Sequence, residues 1–170
     1  MAHTLAELNA SDRAAFEEAL GRLFEHSPWV AAETHARRPF RDPAHLHREL
    51  SATLRRASPE RQMALIRAHP DLAGRLAQAG QLTAESTREQ ASAGLNTLAA
   101  AETAELQRLN AAYLGRFGFP FIICARLNAK DAILDALRRR LNNTPAQEHE
   151  AALAEIEKIA WLRLADELKP

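Results

Sequence analysis

The sequence has a single cysteine, a single valine, a single tyrosine, six isoleucines and no net charge. One cysteine, Cys124, excludes an internal disulfide framework and a metal centre built from several thiolates, and it fits a reducing compartment. The 22 basic side chains are balanced by 22 acidic ones, which gives no support to binding of nucleic acid or an anionic membrane. No run of 18 apolar residues is present, so no segment is expected to span a membrane. Met1–Glu7 has no basic stretch followed by an apolar core, so no secretory signal is expected. Residues that favour strands are scarce: aromatics make up 5% and valine occurs once. What is abundant favours helix, with 36 Ala and 24 Leu among 170 residues. That length suits one domain burying roughly 68–70% of the surface an unfolded chain exposes. The expectation is an all-α, single-domain, multi-helix bundle over residues 1–170.

Turn and cap signals divide the chain into helices. Ser11-Asp12 caps a helix carrying Ala15, Phe16, Leu20, Leu23 and Phe24, which stops near Ser27-Pro28. The passage Arg38-Pro39-Phe40-Arg41-Asp42-Pro43 precedes a helix with Leu46, Leu50 and Leu54. Ser58-Pro59-Glu60 combines a capping hydroxyl, a first-position proline and a first-turn acid; that helix ends near Ala68-His69, ahead of Pro70. Gly74 and Gly80 bracket a loop or short helix, followed by a helix around Ser86 to Ala93. A long helix over Ala99 to Phe117 directs Leu106, Leu109, Tyr113 and Leu114 inward and is broken by Gly118-Phe119-Pro120. Asn128 caps a helix with Ile133, Leu134 and Leu137. Thr144-Pro145-Ala146-Gln147 opens the last helix, with Ala152, Leu153, Ile156, Ile159, Ala160, Leu164 and Leu168 as its apolar set.

Seven histidines invite a metal hypothesis, but the spacing does not support one. His-Glu-x-x-His does not occur, and His45 and His47 fall on different faces of a helix. Cys124 lies in the apolar run Phe121-Ile122-Ile123-Cys124-Ala125, where a small buried hydrophobe is a better reading than a nucleophile. His69 stands between a helix end and Pro70. A helix C-terminus stabilises imidazolium, so His69 is either a C-cap or a proton donor and acceptor.

Ser86, Glu89 and Gln90 fall at i, i+3 and i+4 and share one helical face, with Thr87 and Arg88 between them. Either that face reads a small polar molecule, or Ser86 and Glu89 form a capping box. In Phe117-Gly118-Phe119-Pro120-Phe121-Ile122-Ile123-Cys124-Ala125, irregular backbone in an apolar setting leaves N–H groups that need partners, from the core or from ligand oxygens. Arg163 is either a snorkelling surface residue or a carboxylate clamp.

His-Pro-Asp-Leu-Ala-Gly at 69–74, Leu-Thr-x-Glu-Ser-Thr-x-Glu-Gln at 82–90 with Ala-Gly-Leu at 93–95, and Arg-Phe-Gly-Phe-Pro-Phe-Ile-Ile-Cys-Ala at 116–125 together resemble the decarboxylases of 2-oxo-4-hydroxy-4-carboxy-5-ureidoimidazoline (OHCU). Ser27-Pro28-Trp29-Val30, Arg38-Pro39-Phe40 and the stretch Ile156–Leu164 match as well. Three long motifs in this order make a specific pattern, and the resemblance runs from Ser11 to Leu168. It implies an all-α lyase of urate breakdown that needs no cofactor, releases CO2 from OHCU to give (S)-allantoin, and forms a homodimer. It also implies that His69 is the general acid/base and Glu89 its carboxylate partner. Pro70, Ser86, Thr87, Arg88 and Gln90 would line the substrate site. The backbone of Phe121, Ile122, Ile123, Cys124 and Ala125 would contact the ring, and Arg163 would bind a ligand oxygen. The chain ends Leu168-Lys169-Pro170 rather than in a peroxisomal tripeptide of the Ser-Lys-Leu type, so the expected location is cytoplasmic. Two other functions compete: a helical interaction module without catalysis, and a lyase for a related ureido or hydantoin compound.

Overall fold

The computed structural model describes residues 2–169, with Arg75 and Leu76 described by backbone alone. The helices in chain order are α1 Leu5–Ala10, α2 Arg13–Leu20, α3 Trp29–Thr34, α4 Pro43–Arg56, α5 Pro59–Ala68, α6 Arg75–Gln78, α7 Ala84–Ser92, α8 Ala100–Phe117, α9 Lys130–Arg140 and α10 Pro145–Glu167. Among the described residues the extended pairing amounts to one isolated bridge, His3 with Leu168, so the molecule is all-α as its composition implies. No helix among the described residues is long and apolar enough to cross a membrane. Packing groups the chain into two compact units, Met1–Ala68 with Glu157–Pro170, and His69–Ile156.

In the first unit the local signals act as expected. The Asp42 carboxylate accepts the His45 N–H at 2.6 Å and Pro43 takes the first helical position of α4. Leu46, Leu50 and Leu54 are fully buried. The Arg38-Pro39-Phe40 motif fastens the end of α1. Arg38 Nη1 donates to the carbonyls of Asn9 and Ser11, both at 2.7 Å, which satisfies acceptors that a helix end leaves open. Asn9 and Phe40 exchange two bonds of 2.8 Å. Two histidines are absorbed into packing: His35 stands edge-on to Phe16, and His47 bonds the Glu157 carbonyl at 2.8 Å while standing edge-on to Trp161.

In the second unit α8 ends at Gly118, whose φ of 75° lies in the left-handed region where a residue without Cβ carries no penalty. Tyr113 then sits among Phe117, Phe119 and Phe121, with ring centroids 4.6, 5.9 and 5.4 Å away. Two expectations are corrected here. Leu114 does not point inward; it is 46% exposed, because Tyr113 already occupies that turn of the inner face and the next residue is rotated by about 100°. Asn128 does not cap α9; the N-cap is Ala129, and Asn128 Nδ2 donates to the Cys124 carbonyl at 2.9 Å instead. The box at the start of α10 is present: Gln147 N–H donates to Thr144 Oγ1 at 3.2 Å and Thr144 N–H to Gln147 Oε1 at 2.9 Å.

Candidate active site

The three motif segments all belong to the second unit, and α7 links them. Its N-cap is Thr83, whose hydroxyl accepts the Ser86 N–H at 3.2 Å. Ser86 is therefore the third residue of the helix, and the capping-box reading of Ser86 with Glu89 is set aside. The face that would have served the helix end is turned inward instead. Ser86 and Gln90 are buried and Glu89 is half-buried, while Thr87 and Arg88 are exposed.

Gln90 holds the loop that carries His69 and Pro70. Its side-chain oxygen accepts the Ala73 N–H at 2.8 Å. Ala73 has φ 48°, a left-handed conformation that an L-residue adopts at a cost of roughly 1–2 kcal/mol. Gly74 follows because nothing larger fits: a Cβ there would lie 2.5 Å from the Asp71 Cβ. From the other side Asn110 Nδ2, on α8, donates to the Leu72 carbonyl at 3.0 Å. Thus the His-Pro-Asp-Leu-Ala-Gly motif is a tight turn pinned by two side-chain amides, with His69 buried at its start. Burial pushes the Asp71 carboxyl above its ordinary range.

The segment from Pro120 to Cys124 has no regular structure, yet every residue from Phe119 to Ala125 is buried. α7 packs against the short 3₁₀ turn Ala125–Leu127 that follows it. The Cys124 thiol is pushed up, first by burial and then by the carboxylates of Glu155 and Glu89. This disfavours thiolate chemistry and leaves Cys124 a packing residue. The Cys124 N–H donates to Glu155 Oε2 at 2.9 Å and the Ile122 carbonyl accepts from Arg140 Nη1 at 2.7 Å, so part of this backbone is satisfied by the protein itself.

Arg163 belongs to the first unit. It is not a snorkelling surface residue: it is 5% exposed, and its Nη1 lies 3.1 Å from Glu25 Oε2 and 3.3 Å from the Arg22 carbonyl. A buried guanidinium is retained only with such partners. A cleft of about 340 Å3 runs beside α7, lined by Thr87, Gln90, Ala91, Leu95 and Thr103 among others. Its lining has no titratable side chain among the described residues. The residues that sequence reasoning missed are Thr83, Asn110, Arg140, Glu148 and Glu155. Of these only Thr83, a hydroxyl just ahead of a helix, carried a local signal.

In sequence and in overall fold the chain is similar to known proteins. The family model for OHCU decarboxylase matches residues 9–165. The OHCU decarboxylase of Amia calva is 44% identical over 95% of this chain and 93% of its own, and that of Haloferax volcanii 40% identical over 96% and 95%. The uric acid degradation bifunctional protein PucL of Bacillus subtilis is 40% identical over 96% of this chain, which spans 32% of that longer protein. Among solved structures, (S)-allantoin synthase superposes with a TM-score of 0.77 at 31% identity; the match covers 98% of this chain and 54% of that one. A crystal structure of OHCU decarboxylase in the presence of (S)-allantoin superposes with a TM-score of 0.70 at 25% identity, covering 92% and 97%. With a family match across nearly its whole length and curated relatives at this identity, the chain belongs to the OHCU decarboxylase family.

Proposed function

We propose that this chain is a carboxy-lyase that removes CO2 from OHCU to give (S)-allantoin, closing the degradation of urate. Membership of the family supports the reaction. The observation in this chain that supports it is on α7: Thr83 takes the cap, Ser86 and Gln90 are buried with Glu89 half-buried beside them, and Gln90 holds the loop that carries His69. A module that only bound a partner helix would have no need to direct a hydroxyl, a carboxylate and an amide inward together, since buried polar groups are costly without a role.

The substrate explains why so little machinery is enough. Loss of CO2 leaves electron density on a carbon that the ring carbonyl and imine system can delocalise. What remains for the protein is orientation, placement of charge and one stereospecific proton delivery. His69 is assigned the proton transfer, worth about 10²–10⁴-fold for a positioned acid/base, with Glu89 as its carboxylate partner. Pro70, Ser86, Gln90 and the 121–125 backbone would line the ligand. Thr87 and Arg88 are exposed, which favours a role at the rim over direct contact. Arg163, held by Glu25, is assigned an oxygen of the ligand. A homodimer and a cytoplasmic location complete the reading, and one OHCU decarboxylase-like domain is supported by a family match that runs through both compact units.

OHCU decays spontaneously to racemic allantoin, so the test is chiral. Freshly generated OHCU is mixed with the protein and followed by circular dichroism. Rapid growth of one enantiomer is expected; an optically silent decay at the background rate rejects the proposal.

A further inference from the structure

The buried segment 120–124 belongs to no sheet, and side chains partner its Ile122 carbonyl and its Cys124 N–H. The Ile122 carbonyl is held by Arg140 Nη1 at 2.7 Å, and the guanidinium also lies over the Phe121 ring, 4.5 Å from its centroid. Arg140 is itself fixed from behind. Its Nε and Nη2 donate to Glu148 Oε2 at 2.9 and 2.8 Å. Glu148 is completely buried and also accepts from Asn143 Nδ2 at 2.7 Å and from the Tyr113 hydroxyl. One edge of the guanidinium therefore grips a carboxylate while the other nitrogen grips the backbone of the segment.

We propose that Arg140, locked by Glu148, is a positioning residue that fixes the 121–125 backbone where the substrate ring must lie. This rests on the function proposed above and extends it to Arg140 and Glu148, 15 and 23 positions beyond the motif. Burying an ion pair is a poor way to gain stability alone, because apolar residues of similar volume often serve as well. A planar fork with separate donors does something apolar residues cannot: it ties a backbone carbonyl to a fixed carboxylate in one geometry. Lysine carries the charge but not the fork.

The test compares wild type with Arg140→Lys and Arg140→Met, using freshly generated OHCU. Thermal unfolding and far-ultraviolet circular dichroism are measured alongside kcat and KM. Both variants are expected to retain helical folding, and R140K to lose kcat by about 10²-fold, the scale of a 1 Å misplacement at a reacting centre. R140M, which keeps an unbranched apolar stem but no donor, should lose at least as much. A merely structural role would lower the unfolding midpoint and leave kcat of the folded enzyme unchanged; that result overturns the proposal. So does failure of both variants to fold, which would make Arg140 a folding residue. Wild type with no rate above background rejects the proposed function itself, and this inference with it. Active wild type beside fully active R140K rejects this inference alone.

Discussion

At the scale of single residues, the recurring device is a side chain whose local reading is displaced by a neighbour. Thr83 takes the helix cap and so leaves Ser86 and Glu89 for other work. Gly74 is required by space rather than by its own torsion, since a Cβ would meet Asp71 at 2.5 Å. Gly74→Ala is expected to cost about 1–3 kcal/mol, as over-packing does, measured as a lower midpoint in urea. Cys124 gives a second prediction at this scale. Its thiol is buried and its ionisation is suppressed by burial and by the charges of Glu155 and Glu89. A thiol-directed alkylating reagent at neutral pH should label it slowly in the native protein and fast in urea. Rapid native labelling would show a reactive cysteine and reopen its role in the chemistry.

At the scale of elements, the helices were legible where the signals are local. Asp42-Pro43, Ser58-Pro59 and Thr144-Pro145 with Gln147 each open a helix where the sequence places it. α7 is legible as a helix while its cap stays open, because Ser86-x-x-Glu89 imitates a capping box one turn inside the true cap, Thr83. Thr83→Ala should cost about 1 kcal/mol, the worth of a lost N-cap, seen as a lower unfolding midpoint. The same change at Ser86 should spare that part of the stability, and a reversed order would restore Ser86 as the cap. The irregular segment 120–124 was recognised as unusual backbone, but not what holds it. Arg140 and Glu148 lie 18 and 26 residues from Ile122, and Tyr113, read only as an apolar helix residue, is 35 residues from Glu148. Such pairings have no periodicity to betray them; they follow only from the packing of α8, α9 and α10 within the unit.

At the scale of the whole molecule, a neutral, cysteine-poor, alanine-rich chain gives a helical scaffold whose polar chemistry is concentrated in a few buried residues. Its stability should follow those residues across pH. Burial would raise the Glu148 carboxyl, but the donors from Arg140, Tyr113 and Asn143 outweigh it and hold it below its ordinary 4.5. Its contribution is present above about pH 4.5 and is lost as the pH falls through the folded value. Tyr113 is shifted the other way, upward from 10.0, by burial and by Glu148. Its contribution is present below about pH 10 and is lost as the pH rises beyond it. Urea midpoints recorded across this range should fall at both ends, and Tyr113→Phe should flatten the alkaline fall. An unchanged alkaline limb in that variant would show that Tyr113 is not its source.

The central claim is that Glu89 serves the reaction and not its own helix. Glu89→Gln keeps the shape of the side chain and could still cap a helix, so it separates the two roles most directly. Purified Glu89→Gln should unfold at nearly the wild-type midpoint, while the enantioselective formation of allantoin falls by about 10²-fold or more, the scale of a lost acid–base partner. A variant that matches wild type in turnover, whatever its stability, would contradict the claim.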